Sequence, residues 1–177
     1  MVDDEDRRSG SEEESELVPR PPFEEDLVAL CRILNKLGAR YLVIGGYAII
    51  HAGYPRFTGD LDILIDTAPE NEAKIYMALR SLPDRAADEL DPGDVSKYTV
   101  VRVADEIVVD LMKSASGIGY EEASKDIIVR KIGDVEIPFA SPRLLWRMKK
   151  NTRREKDAGD LFFLRKWFEA RGESPPE

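Results

Sequence analysis

The feature that most limits the fold is the stretch 41–50, ten residues with no charge or strongly polar group, the longest such run in the chain. Gly45-Gly46 interrupts it. Tyr41-Leu-Val-Ile44 is a short apolar run bounded by glycines and reads as a buried strand. The glycine pair then leads into Tyr47-Ala-Ile-Ile-His-Ala52, a short helix that Gly53 stops. A membrane-spanning helix needs about 20 apolar residues, so no membrane span is expected here.

The remaining segments extend that pattern. Phe23, Leu27, Leu30, Leu34 and Leu37 recur at three- and four-residue steps, which predicts an amphipathic helix ending at Gly38. Strands are expected at 61–65, 98–103, 107–112, 127–132 and 135–139. Ala104-Asp-Glu106 and Gly133-Asp134 supply the turns of two hairpins. A helix over 69–82 has proline in its first turn. A helix at 141–150 opens on Ser141-Pro142 as N-cap and first-turn proline, and a last one covers 155–170. The order predicts an α/β (α+β) domain, a mixed sheet flanked by helices with two further helices at the C-terminus.

At 177 residues one domain is expected, covering 23–171. The first 22 residues carry eight acids and three bases, a net of −5, with few apolar side chains. They read as a disordered acidic tail, and 172–177 as a disordered C-terminus. The opening Met-Val-Asp-Asp-Glu-Asp lacks the basic and apolar parts of a signal peptide, and the single Cys31 excludes an intramolecular disulfide, so a cytoplasmic protein is expected. Cys31 falls on or beside the first helix's apolar face and reads as core. With one histidine, His51, and one cysteine, a His- or Cys-based zinc site is excluded, and acid–base work falls to carboxylates or lysines. His51 reads as a packing or capping residue at a helix end. The net charge of −9 hides a segment, 141–171, with ten basic and four acidic residues. Any contact with an anionic partner is therefore local.

Asp60 and Asp62 lie two apart on an expected strand and so share a face, about 7 Å apart by Cα. That spacing suits hard divalent cations, which take oxygen ligands. Asp110 breaks the strand Ile107-Val-Val-Asp-Leu-Met112, where a charge is costly unless paired or bound to metal. Gly45-Gly46 lets backbone approach a ligand, and the helix start that follows offers free N–H groups to phosphate. A glycine cradle with three carboxylates on two strands is the equipment for two-metal phosphoryl or nucleotidyl transfer.

The pattern Ile44-Gly45-Gly46, thirteen residues, Asp60-Leu-Asp62-Ile63 resembles the signature of the DNA polymerase β-like nucleotidyltransferase superfamily, with Asp110 fitting its third carboxylate. Gly45-Gly-Tyr-Ala, His51-Ala-Gly, Arg56-Phe-Thr and Arg154-Glu-Lys-Asp-Ala-Gly-Asp-Leu161 look like the small bacterial AbiEii-type and related nucleotidyltransferases. The resemblance spans about residues 23–170. It implies a Mg²⁺-dependent enzyme that moves a nucleoside monophosphate from an NTP such as ATP to an acceptor hydroxyl, on a small molecule, a tRNA end or a protein, and releases pyrophosphate. Asp60, Asp62 and Asp110 would be the catalytic and metal-holding residues of a two-metal site. Gly45, Gly46, Arg56, Thr58 and Lys156 would contact the nucleotide. Asp160 is placed to pair with Lys156 at i, i+4. Lys149 and Lys150 belong to the same basic stretch, while Trp146, Phe162, Phe163 and Trp167 read as helix-packing core. Two other readings stand beside the enzyme: a toxin–antitoxin component acting chiefly by binding a cognate protein, and a nucleotide-binding module without turnover.

Overall fold

The computed structural model describes residues 18–177. Along the chain, α1 (Glu24–Lys36) leads to β1 (Tyr41–Ile44), α2 (Gly45–Ala52), β2 (Asp60–Ile65) and α3 (Pro69–Leu79). A 3-10 turn (Ala86–Glu89) and the single turn α4 (Asp94–Lys97) precede the hairpin β3 (Val101–Ala104) and β4 (Val108–Met112). A two-residue ribbon, β5 (Ser114–Ala115) with β6 (Ile118–Gly119), and α5 (Tyr120–Ala123) come next. The hairpin β7 (Ile127–Ile132) and β8 (Val135–Ala140), then α6 (Pro142–Lys149) and α7 (Glu155–Glu169), complete the chain.

Six strands form one mixed sheet in the order β3-β4-β2-β1-β8-β7. β1 pairs antiparallel with β2 and parallel with β8, and β2 pairs parallel with β4. All four residues of β1 are buried, as its unbroken apolar run requires of a central strand. On β2 alternation separates the faces: Leu61, Ile63 and Ile65 are buried on one side, while Asp60 and Asp62 point to the other.

Leu27, Leu30, Cys31 and Leu34 of α1 are buried, so Cys31 is core, and burial pushes its thiol up to about 12. Phe23 departs from the predicted stripe. It is the N-cap of α1 and 61% exposed, with its N–H bonded to the Asp26 carboxylate at 2.7 Å. His51, in the last turn of α2, stacks on Phe139 at 4.4 Å between ring centres, a packing role. Among the aromatics expected as core, Phe162 is 66% exposed. The buried anchor of α7 is instead Phe168, with Trp146 and Trp167 edge-on against it. The strand expected from residue 98 starts at Val101 because α4 occupies 94–97, and the helix expected to reach 82 ends at Leu79.

Both ends of the described residues carry contacts to the folded body. The Arg20 backbone N–H bonds the Glu106 carbonyl, and the Tyr47 hydroxyl donates to the Pro22 carbonyl at 2.7 Å. At the other end the Trp146 indole N–H donates to the Pro176 carbonyl at 2.9 Å, and Arg143 pairs with Glu173. The rest of the expected acidic tail, 1–17, lies outside the described residues. No helix among the described residues is long and apolar enough to cross a membrane.

Candidate active site

Strand register assembles the site. β2 and β4 run parallel with Asp62 directly opposite Asp110, and the β3–β4 hairpin puts Arg102 opposite Asp110. On the other side of Asp62 stands Ile44, the last residue of β1. Arg102, Asp110, Asp62 and Ile44 therefore form one row across four strands, with Asp60 one step along β2 on the same face. The three carboxylates each offer an oxygen, and these oxygens lie within 4.8 Å of one another.

Concentrating that charge has a visible consequence. Burial, aided by Asp60 and Asp110 close by, pushes the Asp62 carboxyl from 3.8 up to about 6, with Lys156 and Lys149 acting in the opposite direction. Asp110 is 4% exposed and takes a two-pronged bond from Arg102, Nε to Oδ1 at 2.9 Å and Nη2 to Oδ2 at 2.8 Å. The same Nη2 lies 3.4 Å from Asp60 Oδ2. Arg102 is a site residue that sequence reasoning missed.

The two glycines have different reasons to be glycine. Gly45 begins α2 with φ +63°, and a Cβ there would overlap the Asp62 carboxylate. A Cβ on Gly46 would overlap the Thr58 side chain. The α2 N-terminus is thereby pressed directly against the Asp62 carboxylate. Thr58 Oγ1 donates to the Asp60 carbonyl at 3.2 Å, holding the start of β2.

Gly45, Gly46, Thr58, Asp60 and Asp62 line a cleft of about 180 Å³, and the buried Asp110 is not part of its wall. Its walls include Gly45, Gly46, Arg56, Thr58, Asp60, Asp62 and Lys156, all expected from the sequence, while Arg102 covers Asp110 at the side. The lining also includes the apolar Val100, Met112, Leu145 and Met148, which sequence reasoning did not find.

Arg56 lies at the cleft, but its guanidinium is engaged: Nε and Nη2 bind the two oxygens of Asp160 at 2.7 and 2.8 Å, and Nη1 donates to the Phe57 carbonyl. Asp160 is fully buried and also binds Lys149 Nζ at 3.0 Å. Lys149 reaches Asp157 as well, and Thr152 completes that carboxylate's bonding. The expected Lys156–Asp160 pair is thus replaced. Asp160 turns into the protein, where Arg56 and Lys149 reach it, and Lys156 stays on the exposed face beside the cleft. The clamp fastens α7 to the loop that precedes β2.

Three converging carboxylates, one of them hard to ionise in this setting, form an all-oxygen donor set that fits a hard divalent cation. Asp60, Asp62 and Asp110 are the residues that could hold one.

No protein-family profile and no curated protein matches the chain by sequence. Solved structures do match. The lincosamide antibiotic adenylyltransferase LnuA, bound to lincomycin, superposes with a TM-score of 0.57 at 16% identity, over 82% of this chain and 98% of that one. TM1012 of Thermotoga maritima, a nucleotidyltransferase by assignment, superposes with a TM-score of 0.53 at 18% identity, over 88% of this chain and 98% of that one. The chain therefore has the fold of these nucleotidyltransferases, at sequence identities that speak for the fold alone.

Proposed function

We propose that the protein is a divalent-cation-dependent nucleotidyltransferase that moves a nucleoside monophosphate from an NTP to an acceptor hydroxyl and releases pyrophosphate. The observation that carries this reading is the convergence of Asp60, Asp62 and Asp110 within 4.8 Å, with Asp62 pressed against the glycine start of α2, in a fold shared with nucleotidyltransferases.

Asp60, Asp62 and Asp110 hold Mg²⁺ on this reading. Bound cations supply neutralisation of the triphosphate and of charge developing on the attacking and leaving oxygens. The chain's own groups do the rest. Gly45 and Gly46, at the start of α2, let the backbone and its unpaired N–H groups come close to phosphate. Lys156, exposed at the cleft and close enough to act on Asp62, adds positive charge toward the same phosphates. Thr58 keeps the Asp60 backbone in place. The Arg56–Asp160–Lys149 clamp holds α7, and Lys156 with it, at the cleft. The apolar side chains of Val100, Met112, Leu145 and Met148 in the cleft suit the less polar part of a nucleotide or acceptor.

The test is transfer of label from α-labelled NTP with Mg²⁺ into RNA, protein and metabolite fractions. Asp60→Ala and Asp62→Ala are expected to abolish transfer while the circular dichroism spectrum is kept. Undiminished transfer in either variant sinks the reading. The fraction that carries the label identifies the acceptor class: small molecule, tRNA or protein.

A further inference from the structure

Resting on the cation-dependent reading above, we propose that Arg102 is a displaceable counter-ion: it holds Asp110 closed in the ligand-free protein, and a cation can use that carboxylate only when Arg102 leaves.

The geometry is specific. Arg102 spends both prongs of its guanidinium on the two oxygens of Asp110, at 2.9 and 2.8 Å, and also reaches Asp60 at 3.4 Å. Among the described residues, no other cationic group lies within 4.0 Å of the three carboxylates. Arg102 therefore stands beside the oxygens a cation at Asp110 would need, and a cation arriving there meets like charge at close range.

On the arginine's own side, leaving costs little. Arg102 lies on β3, the edge of the sheet, and its side chain is 61% exposed, so the released guanidinium returns to water. Asp110 is the opposite case. Its side chain is 6% exposed, and left without a partner it would be a buried charge with nothing to offset it. The site is then occupied by one cationic partner or the other, guanidinium or metal. The two carboxylates of β2 stay open for a first cation, because Asp62 has no ion-pair partner among the described residues and Asp60 has only the long Arg102 contact.

Two consequences can be measured without turnover. Without nucleotide, Mn²⁺ titrated into the full chain and followed by electron paramagnetic resonance should bind Arg102→Met roughly tenfold more tightly than the unsubstituted protein. Arg102→Lys, which keeps the charge but loses the fork, should fall between them. In EDTA the Met variant should melt at lower temperature than the unsubstituted protein, and saturating Mn²⁺ should close that gap. Equal or weaker Mn²⁺ binding by a folded Met variant overturns the inference, because Arg102 then either ignores the cation or supports its ligand. Should the Met variant fail to fold in EDTA, the Lys isotherm decides in the same sense. Failure of the underlying reading looks different: Mn²⁺ uptake is then absent, or unchanged by Asp62→Asn. Uptake that needs Asp62 but ignores Arg102 overturns the inference alone.

Discussion

Asp62 occupies a position where a carboxylate is costly to charge, and the cost sets a pH dependence with a definite sign. Its carboxyl titrates near 3.8 in an unfolded chain and at about 6 in the fold. Below about 3.8 both states hold the proton. Between 3.8 and 6 only the folded state does, so stability falls as pH rises through that window and stays lower above it. Asp62→Asn removes the penalty. Free of metal at pH 7, that variant is expected to be more stable by about 2–3 kcal/mol, a gain that vanishes near pH 4, as read by urea unfolding at several pH values. Saturating Mg²⁺ should shrink or reverse the gain, since only the carboxylate binds it. Gly45 states the same constraint from the backbone side. Gly45→Ala should destabilise through its positive φ, about 1–2 kcal/mol, and further through overlap with Asp62. Gly133→Ala is the control, with φ +60° and no atom within 4 Å of the new Cβ. The excess loss in Gly45→Ala over Gly133→Ala measures the pressing of α2 against the carboxylate, and equal losses would count against it.

At the level of elements, what was legible in the sequence was whatever period and composition determine. The apolar run of β1, the glycine pair, the same-face Asp60 and Asp62 and the Ser141-Pro142 start of α6 are local signals, and each appears where expected. Asp110 was legible because a charge in an apolar strand has to have a purpose. Arg102 was not, and the reason is register. A turn over 104–106 sets Arg102 opposite Val108, whereas the observed turn over 105–107 sets it opposite Asp110. Asp105 makes the difference: buried, it accepts bonds from the backbone N–H groups of Asp84, Ala86 and Glu106, which a strand pattern does not announce. Asp160 illustrates the same limit. Helical spacing offered Lys156, but the choice of partner was made by packing between α6, α7 and the loop before β2. Asp160→Ala strands Arg56, whose side chain is 21% exposed, and leaves Lys149 with Asp157 alone, and should cost about 3 kcal/mol in urea unfolding. Lys156→Ala, the change that a surface i, i+4 pair would have made comparable, should cost less than about 0.5 kcal/mol. Matching losses in the two variants would count against the clamp.

Across the whole molecule, a chain of net charge −9 presents its cations unevenly. The segment 141–171 has a net charge of +6, and much of that charge is engaged in ion pairs. Arg143 pairs with Glu173, Arg147 with Glu122, Lys149 with Asp157 and Asp160, and Lys166 with Glu169. Arg154 and Lys156 line the cleft, both exposed and without an ion pair among the described residues. They bring the acidic chain's positive charge to the carboxylate site. Being exposed, they act through solvent, where the screening length is about 8 Å at 0.15 M salt. Removing both, Arg154→Ala with Lys156→Ala, should raise KM for Mg·NTP roughly tenfold and leave kcat within about twofold, because the lost attraction is the same for bound substrate and transition state. The salt dependence separates this from a general loosening of α7. Affinity of the unsubstituted protein for Mg·NTP should fall as salt rises from 50 to about 300 mM, and the double variant should fall less steeply, having fewer exposed charges to screen. If the two slopes coincide, these cations do not face the triphosphate, and the phosphate contacts must come from the α2 backbone and the bound cations alone.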